Sequence, residues 1–472
     1  MSELLEAEPV ARVSAALRDG PAAWLVGGVV RDCFLDRPLR DVDLAVQGEP
    51  EAAARAVAAG LRGPVFALSE QFGAWRVLDG DRRFICDISP LQGATIEEDL
   101  RHRDFTVNAM AVPLAGGETI DPHGGRADLQ AGRLRMLGAE AYDHDPLRAL
   151  RLVRLAAELG LQPDADTERL TSSAAPRLSE PSPERVFTEL RRTVVAPGAL
   201  DGLGLGARLG VLGAVLPELM ALEGIEQSRF HHLDVFDHTI EVLRRLIDLE
   251  ADLPSLFGDL AGPLREQLDQ PLGDELTRGQ ALRLGALFHD VAKPATRGIR
   301  GDGKVTFIGH DSAGDAMVGQ IFHRLRTSER LRAYVGKLTR EHLVLGFQVR
   351  RRPLDARAMH SYLRRTEPVE VEVTLLSCAD RMATRGDGQD PWIAAHLELA
   401  GEVMGAALAW RVNGPPVPLL RGDELAQELG VTPGPELGEL LASLEQAIYA
   451  GEVSDREQAL EYARRARENR PR

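Results

Sequence analysis

Apolar residues along the chain follow two kinds of spacing, and the change between them falls near residue 128. Before that point, short apolar runs alternate with segments of helical spacing. The runs lie at residues 23–26, 42–46, 65–68, 74–78 and 83–88, with a further candidate at 104–112. The helical segments lie at residues 2–19 and 52–60. This mixture of strands and helices predicts an α/β or α+β domain in the first part of the chain.

After Asp128 the spacing becomes almost wholly helical. Leu152, Leu155 and Leu159 stand at i, i+3 and i+7 and form one apolar stripe, which Gly160 is expected to end. Residues 176–183 are rich in Pro and Ser and indicate a sharp turn or linker, and residues 413–418 indicate a loop before a short helical tail. The sequence therefore predicts an α+β region followed by an all-helical region.

Composition limits the classes of protein that fit this pattern. The chain has 472 residues, 44% of them apolar, and a formal net charge of −16, which excludes a uniformly basic polyanion binder. Any nucleic-acid site must be a local basic surface. The three cysteines lack paired spacing, which argues against disulfides and a thiolate zinc site and favours a reducing, cytoplasmic setting. No uncharged apolar stretch reaches the roughly 18 residues of a membrane span.

A first group of chemical residues joins a glycine turn to a pair of carboxylates. Gly27 and Gly28 follow a predicted strand, so their backbone amides are able to approach a phosphate, and Arg31 adds a forked donor for phosphate oxygens. Asp41 and Asp43 stand at i and i+2, which places both carboxylates on one face of a strand. Such a pair is able to hold two Mg²⁺ ions for nucleotidyl transfer. Each half alone is common in ordinary turns and strands, but their combination favours a catalytic site.

These segments resemble the signature of the nucleotidyltransferase superfamily, specifically the class II tRNA nucleotidyltransferases and bacterial poly(A) polymerases. Further matching blocks follow in order at residues 98–109, 121–129, 145–151 and 184–190. Two positions depart from the family pattern. His102 replaces the first Arg of the Arg-Arg-Asp-Phe block, and His144 replaces the Glu that precedes Asp145.

The resemblance implies roles for the charged residues of these blocks. Asp145 and Arg148 are expected to present hydrogen bonds to the incoming base; as i and i+3 on a predicted helix they share a face, although an ordinary ion pair has the same spacing. Two further sets complete the implied site. The residues expected to shape the nucleotide pocket are Arg103, Asp104 and Asn108, and those expected to face triphosphate or tRNA backbone are Arg151 and Arg154.

The segment before the Arg-Asp-Phe block bears on which nucleotide is added. CCA-adding members of the family carry a flexible loop there, which commonly contains Arg, Glu and Tyr. In this sequence residues 90–96 form a short connection without that pattern. Loop-deleted members include enzymes that add only the two C residues, so the resemblance favours a CC-adding enzyme over a CCA-adding one. Asp87 matches a third acidic position that supports the metals or is an ordinary strand-end carboxylate.

Histidines and aspartates form a second group in the helical region. His238, His289, Asp290 and Asp380 occur in the order found in the HD phosphohydrolase superfamily, and His310 and His342 match the extra ligands of its dinuclear members. Imidazoles and carboxylates on helices are able to build a metal site that activates water. The resemblance implies a divalent metal of unspecified identity; the alternative is a helical tRNA-binding body with vestigial ligands.

Together these patterns predict an α+β multidomain protein: a nucleotidyltransferase head with a mixed sheet, an all-α neck, an HD-type helical domain and a helical tail. The predicted boundaries are 1–128 for the head, 129–200 for the base- and RNA-binding neck, 201–390 for the HD domain and 391–472 for a tRNA-binding tail. The implied partners are tRNA, CTP and ATP, with Mg²⁺ in the head. Two alternatives remain: a poly(A) polymerase, or an HD phosphohydrolase whose head mainly binds RNA.

Overall fold

The computed structural model describes residues 2–39, 41–69, 73–81, 83–227, 233–384 and 391–468. The chain forms two structural units, Met1–Val215 and Leu216–Arg472. Within the described residues, the first unit contains a six-stranded sheet with helices, and the second consists of helices with two short two-stranded pairs. The predicted α+β class is therefore confirmed.

The sheet of the first unit positions the acidic residues. Its strands are β1 (Ala23–Val26), β2 (Asp41–Val46), β3 (Val65–Ser69), β4 (Ala74–Leu78), β5 (Ile85–Pro90) and β6 (Ala111–Pro113). Their order across the sheet is β3-β4-β5-β2-β1-β6. The central pair β2–β5 is parallel, and the other neighbouring pairs are antiparallel. The five runs predicted before residue 90 are thus strands; β2 and β5 bury apolar side chains, whereas Phe66 and Leu68 on the edge strand β3 are exposed.

The candidate run at 104–112 is mostly not a strand. Thr106–Asn108 is a 3-10 helix, and β6 begins at Ala111. The physical reason is a local hydrogen bond: the Asp104 carboxylate accepts from the backbone N–H of Phe105 at 2.8 Å and from the side-chain amide of Asn108 at 2.9 Å. Short polar side chains that bond nearby backbone in this way compete with strand pairing.

Six helices accompany the sheet. They are α1 (Ser2–Glu6), α2 (Glu8–Ala16), α3 (Gly28–Phe34), α4 (Pro50–Leu61), α5 (Ile96–Arg101) and α6 (Gly125–Gln130). The single helix predicted over 2–19 is divided at Ala7 because Pro9 has no N–H to bond a preceding carbonyl and instead occupies the first turn of α2. The apolar face of α4 is buried, and its chain turns at Arg62 with a left-handed φ of 54°.

The rest of the first unit, which includes the predicted neck, is mainly helical. Its elements are β7 (Arg133–Leu134), α7 (Glu140–His144), α8 (Arg148–Leu159), β8 (Gln162–Pro163), α9 (Ala165–Ala174), the 3-10 helix Ala175–Ser179, α10 (Pro183–Val195), α11 (Ala199–Arg208) and α12 (Val211–Val215). The predicted stripe of α8 is confirmed, since Leu152 and Leu155 have no exposed surface. Gly160 ends the helix with a left-handed φ of 68°. Helices α8, α10 and α11 pack together and bury this stripe.

The second unit is built around four helices that pack on one another, α14, α17, α20 and α23. Its helices are α13 (Pro217–Met220), α14 (Val235–Ala251), α15 (Leu253–Phe257), α16 (Ala261–Leu268), α17 (Arg278–Phe288), α18 (Lys293–Thr296), α19 (His310–Arg324), α20 (Glu329–Glu341), α21 (Val344–Gln348), α22 (Ala356–Thr366), α23 (Glu370–Ala383) and α24 (Pro391–Asn413). Shorter elements are the 3-10 helices Gly258–Leu260 and Val349–Arg351 and the strands β9 (Pro271–Gly273), β10 (Leu276–Thr277), β11 (Gly298–Ile299) and β12 (Val305–Thr306).

The end of the chain forms a small helical cluster with its own apolar core. It contains α25 (Gly422–Leu429), α26 (Pro435–Tyr449) and α27 (Arg456–Glu468). The core includes Leu425, Leu440 and Leu444. The arginines of α27 are already paired in part, because Arg465 contacts Glu461 and Arg467 contacts Glu436. Among the helices that the structure describes, none has the length and apolar character needed to cross a membrane.

Candidate active sites

The predicted carboxylate pair lies on β2 beside a third carboxylate on β5. Asp43 and Asp87 are partners in the parallel β2–β5 register, so their side chains share one face of the sheet. Asp41 lies two residues before Asp43 on the same face. Gly27, at the end of β1, has a left-handed φ of 71°, and a Cβ placed there would lie 3.6 Å from both the Asp43 carboxylate and the Arg103 guanidinium. The sheet therefore brings Gly27, Asp41, Asp43 and Arg103 together as predicted.

The electrostatics of this row suit a divalent cation. Burial, with the neighbouring Asp87 and Asp41 carboxylates, raises the pKa of Asp43 to about 6, and Arg103 opposes this only in part. Several carboxylate oxygens on one rigid face are the ligands that Mg²⁺ prefers. A bound dication would remove the repulsion that raises this pKa, so the donor set fits such an ion.

Arg76 on β4 extends the row and was missed by sequence reasoning. It is the register partner of Asp87 across the antiparallel β4–β5 pair. Its guanidinium donates two hydrogen bonds to Asp87, Nε to Oδ1 at 2.8 Å and Nη2 to Oδ2 at 2.7 Å. This forked geometry fixes the orientation of Asp87 and raises the pKa of Arg76. Arg76 could be recognised only from the pairing of β4 with β5, and the local sequence pattern does not reveal which strands pair.

Arg31 and Asn108, both predicted to bind nucleotide, bind each other. The Nη1 of Arg31 donates to Asn108 Oδ1 at 2.7 Å. The Nε and Nη2 atoms of the same guanidinium donate to Asp32 Oδ1. Arg31 is buried, with 8% of its surface exposed. The role of Arg31 as a phosphate donor stays a prediction, and in this structure its hydrogen bond to Asn108 connects α3 to the 3-10 helix. Gly28 begins α3 next to the Arg31 guanidinium.

A line of alternating charges continues from Asn108 into the neck. The Asp104 carboxylate accepts a hydrogen bond from the side-chain amide of Asn108. It also accepts two hydrogen bonds from the Arg151 guanidinium, at 2.8 and 2.9 Å. Burial opposes ionisation of Asp104, but Arg151 and Asn108 outweigh it and hold its pKa well below the usual range. Arg151 also lies 3.6 Å from Glu189, which pairs in turn with Arg154. The line joins the predicted head and neck through buried ion pairs.

The prediction that Arg154 faces phosphate is wrong. Only 3% of its surface is exposed, and its guanidinium is enclosed by Glu189 and by Glu158, the latter at 2.6 Å. A buried cation needs such partners to offset lost hydration. The partners come from α10 and from the next turn of α8, so Arg154 holds the two neck helices together. Arg151, which is more exposed, remains close to the Asp104 end of the pocket.

Asp145 and Arg148 do not share a helix, contrary to the prediction. Asp145 ends α7 in an extended conformation with φ −155° and ψ 99°, because a residue before proline, here Pro146, is disfavoured in the helical region. Its carboxylate pairs with Arg185 of α10 at 2.6 Å. Arg148 begins α8 and donates to the backbone carbonyls of His102 and Arg103. The two side chains therefore have separate partners.

The two histidines that depart from the family pattern contact each other. The rings of His102 and His144 stand edge to face with centroids 5.8 Å apart. His144 is the last residue of α7, and the carbonyl of His102 accepts from Arg148 at 2.8 Å. The histidine pair thus lies beside the Asp145–Arg148 segment.

In the second unit, all six predicted HD residues converge. His238 Nε2 lies 3.1 Å from Asp380 Oδ1 and 3.7 Å from Asp290 Oδ2, and His289 Nε2 lies 3.1 Å from the same Asp290 oxygen. The other oxygen of Asp290, Oδ1, lies 3.3 Å from His310 Nε2. His342 is on that second side, with its Nε2 3.8 Å from Asp290 Oδ1. Asp290 therefore directs one oxygen toward each group of histidines.

Backbone contacts orient three of these rings for metal binding. The Nδ1 atoms of His289, His310 and His342 lie 2.8, 2.7 and 2.6 Å from the carbonyl oxygens of the residues three positions earlier. A carbonyl oxygen only accepts, so Nδ1 carries a proton in each ring, and Nε2 is the nitrogen directed at Asp290. Burial, with His289 nearby, lowers the pKa of His342 to about 4. Neutral imidazoles with fixed tautomers are the form that binds transition metals.

Lys293 is a further residue of this cluster for which the sequence suggested no role. Its ammonium lies 2.6 Å from Asp290 Oδ2 and 2.7 Å from Gln227 Oε1. Lys293 and the histidines around it hold the pKa of Asp290 well below its usual value, although burial acts the other way. The i, i+3 spacing of Asp290 and Lys293 was the feature of the sequence that could have predicted this ion pair.

Comparison with known families defines the class of protein. Residues 23–135 match the model of the poly A polymerase head domain, and residues 235–385 match that of the HD domain. These ranges contain the carboxylate row and the six-residue cluster, respectively. The chain is thus a nucleotidyltransferase head joined to an HD domain.

Whole-chain relatives define the family. An A-adding tRNA nucleotidyltransferase of Deinococcus radiodurans is 35% identical over 457 residues, covering 96% of this chain and 97% of the relative. A CC-adding tRNA nucleotidyltransferase of Thermus thermophilus is 34% identical, covering 93% and 92%. The fold matches that of the Thermotoga maritima CCA-adding enzyme complexed with tRNA, with a TM-score of 0.62, 20% identity and 98% of both chains covered. This chain belongs to the tRNA nucleotidyltransferase family.

Proposed function

We propose that this protein adds CMP residues from CTP to the 3′ end of tRNA and so builds the CC part of the CCA end. The observation that carries the proposal is the row Asp41, Asp43 and Asp87 beside Gly27 in a member of the tRNA nucleotidyltransferase family. The carboxylates disfavour the alternative in which the head only binds RNA, because a row of negative charges repels the RNA phosphates unless a cation lies between them. The family membership disfavours it as well. The reaction is expected to take place in the cytoplasm.

In this mechanism Asp41 and Asp43 would hold Mg²⁺ on one face of β2. When bound, the metal would stabilise charge on the attacking tRNA 3′-hydroxyl and on the leaving pyrophosphate. The absence of a side chain at Gly27 leaves space for the triphosphate beside Asp43, and Arg103 supplies a positive charge at the same place. Arg76 holds Asp87 in its orientation beside this face through two hydrogen bonds.

For base recognition we propose Asp145, held by Arg185, as the acceptor for the cytosine amino group, and Arg148 as a neighbouring donor. A carboxylate accepts hydrogen bonds from an exocyclic amine, and a guanidinium donates to ring acceptors. Asp145 retains 22% exposure of its side chain, so it is able to meet a ligand. Within the first unit we retain the proposed boundary at residue 128 between head and neck, which places Asp145 in the neck.

The proposal that the enzyme adds only C residues rests on the short chain connections on either side of β5. β4 ends at Leu78 and β5 begins at Ile85, while β5 ends at Pro90 and α5 begins at Ile96. Neither connection has room for an extended loop that would rearrange the base pocket for ATP. The relatives include both A-adding and CC-adding enzymes at similar identity, so overall similarity does not decide between them.

A primer-extension assay tests the specificity. The protein is given tRNA that ends at its discriminator base or, in a second set, tRNA that already ends in CC, each with Mg²⁺ and CTP alone, ATP alone, or both. We expect two added nucleotides with CTP and no further extension when ATP is present. Three additions with both nucleotides would show a CCA-adding enzyme, one addition of A to tRNA ending in CC would show an A-adding enzyme, and long ATP-dependent tails would show a poly(A) polymerase.

Arg76→Lys is expected to lower CMP incorporation by about tenfold at limiting Mg²⁺, because an ammonium cannot make the forked contact that orients Asp87. The measurement is the initial rate as a function of Mg²⁺ concentration. Arg55→Lys is the matched control, since Arg55 also makes two bonds to one carboxylate, Glu51, but on the exposed face of α4. An unchanged rate and Mg²⁺ dependence for Arg76→Lys would contradict the role given to this contact.

The raised pKa of Asp43 predicts a pH-dependent metal requirement. Protonated Asp43 cannot bind Mg²⁺, so protons compete with the metal below the pKa of about 6 and not above it. The Mg²⁺ concentration for half-maximal incorporation should stay constant from pH 8 to 7 and rise by up to about tenfold per pH unit below 6. Initial rates across a Mg²⁺ series at each pH give this value. A requirement that stays flat down to pH 5 would remove Asp43 from the metal site.

We further propose that the HD cluster is a two-metal phosphohydrolase site. His238, His289 and Asp380 would hold one divalent ion, His310 and His342 the other, and Asp290 would bridge them through its two oxygens. The observation in favour of activity, rather than a vestigial site, is that all six side chains converge and three rings have fixed tautomers. Lys293 would hold the bridging carboxylate ionised.

A further inference from the structure

A corner of the second unit combines exposed aromatic rings with arginines. It is formed where α21 and the 3-10 helix Val349–Arg351 meet the beginning of α24. Arg352 fixes this arrangement by donating to the carbonyl of Ala395 at 3.0 Å and to Glu398 at 2.7 Å. The aromatic–arginine corner consists of Phe347, Arg350, Arg351 and Trp392. None of these residues belongs to the nucleotidyl-transfer site or the HD cluster.

The aromatic side chains of the corner are unusually exposed. Phe347 has 71% of its surface exposed, and Trp392 has 50%. Of the three aromatics among the large exposed apolar residues that the structure describes, two are in this corner; the third, Phe66, is on β3 of the other unit. Single exposed apolar residues are common, but two large rings in one place indicate a binding surface.

The two arginines of the corner, Arg350 and Arg351, give its described residues a positive charge. The guanidinium of Arg350 lies 5.6 Å from the centre of the Trp392 ring. Arg350 and Arg351 are both exposed, and among the described residues no carboxylate is within ion-pair distance of either. Arg352, by contrast, is paired with Glu398. A local positive patch in a chain of net charge −16 is the kind of surface that an anionic partner would meet.

We propose that the aromatic–arginine corner binds unpaired nucleotides of RNA. Bases would stack on the rings of Phe347 and Trp392, and the phosphates between them would pair with Arg350 and Arg351. Stacking platforms with adjacent cations are the general means by which proteins hold single-stranded nucleic acid. A second copy of this chain fits less well, because two such corners facing each other would bring arginines of like charge together.

Fluorescence anisotropy with a labelled single-stranded RNA dodecamer, and with the corresponding duplex, tests the proposal without CTP. Phe347→Ser and Trp392→Ala should each weaken single-strand binding by about tenfold and change duplex binding little. The double variant Arg350→Gln with Arg351→Gln should lower the slope of log Kd against log salt concentration by about 1.4 for a single strand. Phe66→Ala is the matched control for loss of an exposed ring. Because no nucleotide is transferred, the result does not depend on the proposed catalytic function.

Two results would overturn the proposal. One is single-strand affinity in all three variants equal to that of the wild type. The other is a change of molecular mass in Phe347→Ser by light scattering with RNA affinity unchanged, which would make the corner an interface between copies. If an aromatic variant fails to fold, as judged by circular dichroism, the arginine variant still decides, because its exposed side chains do not contribute to the core.

Discussion

Replacing Asp41 and Asp43 together with asparagine is expected to reduce CMP incorporation by at least about 10³-fold, because the two carboxylates would hold the metal that stabilises the transition-state charge. Asparagine keeps the shape and removes the charge, so the sheet should remain intact. Because the fold raises the pKa of Asp43 to about 6, its ionised form, which predominates at pH 7, destabilises the fold relative to the unfolded chain. The variant should therefore unfold at the same temperature as the wild type or a higher one in the absence of Mg²⁺.

Single-turnover incorporation of labelled CMP into tRNA, followed with a thermal melt of each variant, measures both effects. Asp81→Asn is the control, since Asp81 lies in the same unit but is 73% exposed and pairs with Arg83. Each single variant separates the contributions of Asp41 and Asp43. Incorporation above a tenth of the wild-type rate in the double variant would place the catalytic metal elsewhere and would defeat the proposed mechanism.

His289→Ala combined with Asp290→Ala should abolish phosphohydrolase activity and bound transition metal while incorporation of CMP stays within about twofold. Asp290 contributes an oxygen to both histidine groups, so its loss removes the bridge between the two proposed metal positions. The proposed transfer residues lie in the other structural unit. Hydrolysis of bis(p-nitrophenyl) phosphate with added Mn²⁺ or Ni²⁺, together with metal content by mass spectrometry, provides the readouts.

The same experiment requires a variant that leaves Lys293 paired, because removing Asp290 leaves a buried ammonium with one fewer partner. His310→Ala with His342→Ala keeps that pair and should reduce the metal content by about one ion per chain. His323→Ala is the control, since His323 is an exposed histidine of α19 outside the cluster. Phosphodiesterase activity that persists in both double variants would mean that the cluster is not the hydrolytic site.

Sequence reasoning located the parts of both sites that depend on local pattern. The i, i+2 spacing of Asp41 and Asp43 on an apolar run is enough to place both carboxylates on one strand face. The HD residues were recognised instead by the resemblance of their order to that of the HD phosphohydrolase superfamily. The partner of Asp87, in contrast, depends on which strand lies next to β5, and Arg76 is eleven residues away in the chain. Strand pairing of this kind is determined by the whole sheet, so a linear pattern does not contain it.

Two errors in the neck have different origins. The burial of Arg154 depends on Glu189, 35 residues later, and no periodicity within α8 indicates that a neighbouring helix supplies this partner. The break at Asp145 had a visible signal in Pro146, which disfavours a helical conformation for the residue before it. The i, i+3 argument gave more weight to spacing than to this steric rule.

The line of alternating charges from Asp104 through Arg151 and Glu189 to Arg154 has a consequence for sequence change. Each interior member is held between two groups of opposite charge, so losing one leaves each of its neighbours with one fewer partner for its charge. Single substitutions at these positions should therefore be selected against, whereas paired exchanges preserve the balance. Across the family we expect these four positions to covary, and a covariance computed from related sequences would trace this line of contacts between the head and neck.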